Sequence, residues 1–189
     1  MKKSNILFIA LMLMGSFFVF SCEERSNETE KDGEEEVVED RREERASPLR
    51  TAEGTVNTRE IRVQYGAPSV KNRKIWGDIA PYDEVWRTGA NEATHVEFKE
   101  DVQVEGKNIP AGKYSIFTIP KQQGPWTVIF NSEWDLEHGH FQYKEENDVL
   151  RVQVTPQWED DLQEQLTVAV EEPGIVVRWE KLRLPIRVN

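Results

Sequence analysis

The chain has 189 residues, of which 38% are apolar and 31% charged, and its formal net charge is −11. Binding phosphates needs a basic footprint, so this acidity argues against nucleic acid and against anionic lipid as partners. The one cysteine, Cys22, leaves no intramolecular disulfide to be made.

The N-terminus is a first zone. Lys2 and Lys3 precede an apolar run from Ile6 to Phe20, broken by Gly15 and Ser16, and Ser21 stands before Cys22. A basic start, an apolar middle of about 7–15 residues and a small residue at the cut describe a secretory signal. A spanning helix needs about 20 apolar residues. This run is shorter and Glu23-Glu24 ends it, so residues 1–21 read as a cleaved signal peptide. A lone cysteine directly after such a segment resembles the lipobox of bacterial lipoproteins. The resemblance implies cleavage before Cys22, its lipidation and acylation of its new amino group; a plain signal with an incidental cysteine is the other reading. Acyl chains contribute about 0.8 kcal/mol per buried CH₂, and two or more hold a protein stably on a membrane without crossing it. With Cys22 lipidated, no thiol is left for a nucleophile or for cysteine-ligated zinc.

Residues 22–47 form a second zone. From Glu23 to Ser47 twelve acids face five bases, and Val37, Val38 and Ala46 are the only apolar side chains. Such a stretch buries too little surface to offset chain entropy and is expected to be a disordered, extended tether. The acidic run after the cysteine also resembles the surface-export signals of some Bacteroidetes lipoproteins. The expected location is therefore the bacterial cell envelope, on its periplasmic face or at the cell surface.

Residues 48–189 hold all six tryptophans, with twenty-three acids against seventeen bases. A chain of this size is one ordinary domain. Period-two alternation runs through Ile61-Val63-Tyr65, Val102-Val104, Trp126-Val128-Phe130, Leu150-Val152-Val154, Leu166-Val168-Val170 and Leu182-Leu184-Ile186. Such alternation marks half-buried strands. Ser115 to Ile119 is apolar on nearly both faces, as a central strand would be. Glu105-Gly106-Lys107-Asn108 reads as a hairpin; Ile109-Pro110-Ala111-Gly112, Gln123-Gly124-Pro125 and Glu172-Pro173-Gly174 read as turns. Pro185 assigns the last strand to an edge. The expected fold is all-β, a single antiparallel β-sandwich or barrel-like domain.

Several segments carry a specific resemblance. They are Val63-Gln64-Tyr65-Gly66-Ala67-Pro68-Ser69, Arg73-Lys74-Ile75-Trp76-Gly77, Pro81-Tyr82 and Val85-Trp86-Arg87-Thr88-Gly89-Ala90-Asn91-Glu92-Ala93-Thr94. Ile109 to Ser115 and Trp126 to Asn131 continue it. From about residue 58 onward the chain resembles the DUF2911 family of secreted or lipid-anchored envelope proteins. The resemblance implies one domain and an envelope compartment, and it carries over no reaction, cofactor or catalytic residue.

Trp86 to Thr94 is the densest polar segment. Arg87, Thr88, Asn91, Glu92 and Thr94 surround Gly89-Ala90. As a ligand-binding wall, Arg87 would offer its fork of donors to an anionic or hydroxyl-rich ligand, with Trp76 or Trp86 as apolar platform. Trp76, Trp86, Arg87, Thr88, Asn91 and Glu92 are the candidate ligand-binding residues. The competing reading is a structural turn in which Arg87 pairs with Glu92 or caps backbone carbonyls. His138-Gly139-His140, if extended, would point two imidazoles to one side, with Glu133 or Glu137 near and His95 distant on the Glu97 side, toward solvent. That pattern reads as an exposed loop before it reads as a metal site. Glu159-Asp160-Asp161 lacks the spacing of a calcium loop and reads as a solvated acidic turn.

No G-x-S-x-G elbow and no H-E-x-x-H helix occurs in the sequence. Ser69, Ser115 and Ser132 stay open as nucleophiles, and the acids stay open as a glycosidase pair. No catalytic residue, metal or cofactor is assigned. The leading expectation is a ligand-binding or interaction module held at the membrane by Cys22, with a small molecule, glycan or protein as ligand. A hydrolase of envelope or glycan material and a structural or assembly protein are the alternatives.

Overall fold

The computed structural model describes residues 45–189. The signal segment, Cys22 and the tether up to residue 44 lie outside the described residues. The strands are β1 (Leu49–Val56), β2 (Arg59–Gly66), β3 (His95–Phe98), β4 (Val102–Val104), β5 (Lys107–Ile109), β6 (Gly112–Ile119), β7 (Trp126–Asn131), β8 (Asp148–Val154), β9 (Gln157–Glu171) and β10 (Gly174–Arg187). Two short 3₁₀ turns, Gly139–Gln142 and Glu145–Asn147, lie between β7 and β8. Every ladder is antiparallel. No helix among the described residues is long and apolar enough to cross a membrane.

Six strands form one sheet in the order β1-β2-β3-β6-β7-β8, while β9-β10 and β4-β5 are separate pairs. The alternation explains the faces. Ile61, Val63 and Tyr65 are buried while Glu60 and Arg62 are exposed. The same face supplies Val96, Ile116, Val128 and Val152, and it packs against Leu166, Val168, Ile175, Val177, Leu182, Leu184 and Ile186 of β9 and β10. Full burial of such a side chain contributes about 1.5–3 kcal/mol. The opposite face of β6 and β7 holds Phe117 and Ile129 under Val85, Leu136 and Tyr143. This second small core is why β6 is apolar on both sides.

Tryptophans concentrate in the main core. The Trp76 ring lies 5.8 Å from Trp86, 5.0 Å from Trp126, 5.9 Å from Trp158 and 6.0 Å from Trp179, all edge-on. Trp86 stacks on Trp179 at 5.7 Å with the planes 14° apart. Aromatic pairs of these geometries add about 0.5–1.5 kcal/mol each beyond their buried area.

Two expectations need correction, and the condition set for a histidine pair is not met. Glu159-Asp160-Asp161 is not a turn but part of β9, where the register against β10 slips between the Glu180–Gln163 and Leu182–Trp158 pairs. The slip is a bulge, and it leaves the acids exposed. His138-Gly139-His140 is not extended, because Gly139 and His140 open a 3₁₀ turn. His138 stands before that turn as its N-cap, so the strand alternation that would put both imidazoles on one side is absent. His95 does not face open solvent: it is half-buried, its ring 5.2 Å from Trp134.

Candidate functional site

The long connection between β2 and β3 builds the site, and its local chemistry fixes its path. Leu166 N donates to Pro68 O at 2.8 Å and Val70 N to Glu164 O at 2.7 Å, which ties the start of the connection to β9. Lys71 and Asn72, both at positive φ, turn the chain so that Arg73 N reaches Val70 O at 3.0 Å. The Arg73 head donates to Val70 O at 3.1 Å and to Ser69 O at 2.6 Å. Further on, Trp86 exchanges both backbone hydrogen bonds with Thr118, at 2.7 and 2.9 Å. Trp86 thereby continues the position beside β6 that β3 occupies up to Ser115.

Beyond Trp86 the chain folds over the end of β2. Ala90 O lies 2.0 Å from where a Gly66 Cβ would stand, so glycine is required there by the close approach of two backbones. Thr88, at φ 55°, is fully buried; its hydroxyl donates to Thr118 Oγ1 at 3.3 Å, and its carbonyl accepts from Thr94 Oγ1 at 2.9 Å. Arg87 Nη1 donates to Asn91 O at 2.7 Å, closing the loop, with Asn91 at φ 63°. The Arg87 stem crosses Gly139: a Cβ at Gly139 would meet Arg87 Cδ at 2.7 Å. Its head lies over Phe141, 5.5 Å from the ring centre.

These elements enclose a cleft of about 230 Å³ lined by Trp86, Arg87, Asn91, Arg73, His140 and Trp179, with Pro68, Ile79, Ser47, Gly89 and Ala90 completing its wall. Burial lowers the pKa of the Arg87 guanidinium from its ordinary value. It remains a cation, since arginine does not deprotonate in proteins. Burial, and then the Arg87 charge, lower the His140 pKa, while Glu84 pulls the other way. Of the lining residues, His140 and Trp179 each carry a buried polar atom, Nδ1 and Nε1, without a hydrogen-bond partner. Such atoms are few in folded proteins and each calls for an explanation.

The cleft unites three of the six candidate residues, Trp86, Arg87 and Asn91. Trp76 is in the core, its Nε1 donating to Glu180 Oε2 at 3.2 Å. Thr88 is a buried strut. Glu92 turns away: it pairs with Arg45 at 2.7 Å and lines a separate hollow of about 90 Å³ with His95 and Trp134. Arg87 thus caps a carbonyl and does not pair with Glu92. Reading by segment passed over Arg73, His140 and Trp179 as partners of Arg87, because they come from a distant turn, the 3₁₀ turn and β10. The signal available was Arg73 and Trp179 as a cation and an aromatic in otherwise unexplained positions.

Larger depressions exist but do not converge. One of about 580 Å³ crosses β1, β2 and β3, and its charges are taken up by the Arg62–Glu53 and Lys99–Glu60 pairs. Among the described residues no three His, Cys, Asp or Glu side chains lie close enough to hold a metal ion.

An all-β antiparallel domain with a small tryptophan-floored cleft is the class that this geometry defines. A protein-family model described as "Protein of unknown function (DUF2911)" matches residues 47–188, and the chain belongs to that family. The match takes in β1, ahead of the segments that carried the resemblance. No curated protein and no solved structure matches the chain.

Proposed function

We propose that the domain is a ligand-binding module held at the bacterial cell envelope through lipidated Cys22, and that the cleft beside Arg87 is its binding site. The observation that supports this most is Arg87 itself. Its stem packs on Gly139, its head lies over Phe141 and one nitrogen is tied to Asn91 O, so the head is held in place at a cleft with donors left over. A positioned guanidinium above an apolar floor is how a site fixes the orientation of a small polar ligand.

The hydrolase alternative has less support. Ser47 and His140 line the same cleft, yet among the described residues no serine hydroxyl hydrogen-bonds a histidine, and no carboxylate hydrogen-bonds His140. Activating a serine requires that nucleophile–base contact.

The test is a thermal-shift screen of metabolites and short glycans against the full chain and its Arg87→Gln variant. A ligand that binds only the native state raises the melting temperature. Hits whose shift disappears in Arg87→Gln support the site; hits that shift both chains equally sink it.

A further inference from the structure

We infer that the cleft takes a small organic oxyanion, a carboxylate or phosphate head on a compact apolar body. The inference rests on the cleft being the binding site, and goes beyond it by naming the ligand's chemistry.

The first argument is charge placement. The domain has twenty-three acids and seventeen bases, yet no Asp or Glu lines the cleft, while Arg73 and Arg87 do. Neither arginine forms a salt bridge among the described residues, although eleven such pairs occur elsewhere. Glu84 acts on His140 but does not line the cleft. An acidic surface that keeps its acids away from two guanidiniums leaves those charges for something that arrives.

The second argument is unmet bonding. Both arginines satisfy only part of their five donors, and only with backbone carbonyls. Trp179 is fully buried and its Nε1–H has no acceptor. A partly desolvated cation is costly unless paired, and an oxyanion supplies both the charge and the acceptors. A neutral hydroxyl ligand supplies acceptors alone.

The third argument is shape. The faces of the stacked Trp86 and Trp179 rings and the flanking Pro68 and Ile79 offer apolar contact beside those donors. A volume of about 230 Å³ is below the ~300–1,000 Å³ of drug-sized sites, so the apolar part must be small.

The experiment is isothermal titration calorimetry of the full chain with four probes: phenylacetate, phenyl phosphate, benzyl alcohol and glucose. The expected result is binding of phenylacetate, phenyl phosphate or both, roughly tenfold or more tighter than benzyl alcohol, as a charge-assisted pair worth more than about 1.4 kcal/mol requires. The tighter of the two anions identifies the head group as carboxylate or phosphate. Affinity should fall as salt is raised, and Arg87→Gln should weaken the anion roughly tenfold. Arg73→Gln, which removes one part-buried and one exposed bond to nearby carbonyls, gives the same reading if Arg87→Gln melts too low to titrate. Benzyl alcohol or glucose binding as tightly as the anions, with loss in Arg87→Gln, overturns the oxyanion but keeps the cleft. Failure of all four probes while the Arg87-dependent screen hits are all neutral does the same, whereas oxyanions among those hits uphold the inference. Failure of all four with no Arg87-dependent hit overturns both.

Discussion

Arg87 meets the polypeptide through its stem as much as through its charge, and that sets what its neighbours must be. Gly139, at φ 52°, leaves room for the Arg87 methylenes. In Gly139→Ala the new methyl would press on Arg87 Cδ in a conformation that alanine adopts with strain. We expect a stability loss of about 1 kcal/mol in urea denaturation. Weaker binding of any Arg87-dependent ligand should accompany it, because the head is displaced; unchanged affinity would show that this packing has no role. His95 carries a second prediction at this scale. Burial against Trp134, chiefly, lowers its pKa; Lys113 adds to this, while hydrogen bonding to the Ala93 backbone, Asp135 and Glu97 oppose it. The unfolded chain therefore takes up a proton below about pH 6.5 before the folded one does, and stability falls with pH there. Denaturation midpoints measured from pH 7 to 5 should drop less steeply in His95→Gln. An equal slope would mean that His95 does not contribute.

The strands show which parts of the fold a sequence can declare. Where large apolar residues alternate, as in β2, β7 and β8, the strand is legible because burial on one face is its whole cause. β1 gave no such signal: Ala52 and Gly54 face inward beside only one large residue, Val56. Gly54 is small because Val170 O would lie 2.9 Å from a Cβ there, a contact with β9 that no local pattern encodes. The first half of β9 was illegible for the opposite reason, since its acids are exposed at a bulge. The candidate site was half legible. Trp86, Arg87 and Asn91 share one loop, whereas Arg73, His140 and Trp179 reach it through tertiary folding alone.

Two predictions belong to the elements. The β1–β2 turn places Asn57 at φ 48° and Thr58 at φ 68°, a two-residue connection that asks a β-branched residue for a left-handed conformation. Thr58→Gly should raise stability by about 1 kcal/mol. A loss instead would mean that the Thr58 side chain makes a contact worth more than that strain. Gly66→Ala should do the reverse. Its methyl would meet Ala90 backbone at 2.0 Å, and backbone cannot yield as a side-chain tip does. A loss of about 2–4 kcal/mol is expected in urea denaturation. Near-wild-type stability would mean that the 86–94 loop is free to move off β2.

At the scale of the whole molecule, the anchor and the domain make separate claims. Cys22→Ser should abolish incorporation of labelled fatty acid and release the protein from membranes. Its melting temperature should not change, because lipid attachment is expected to act through location and not through packing. Persistent membrane attachment in the variant would count against the lipoprotein reading while leaving the cleft untouched. Arg45 and Ser47, expected to belong to a tether, both touch the domain: one pairs with Glu92, the other lines the cleft. The exposed Arg45–Glu92 pair is worth about 0–1 kcal/mol, so it guides the chain more than it holds it.

The tryptophan cluster has an optical consequence. Trp76 sits within 6.0 Å of four other indoles, two of which, Trp86 and Trp179, floor the cleft. At such spacings electronic excitation passes among the rings faster than it is emitted. Light absorbed by any of the five samples the cleft floor before it leaves as fluorescence. A ligand that quenched one indole there would dim them together, so the protein would report occupancy of the proposed site without a dye.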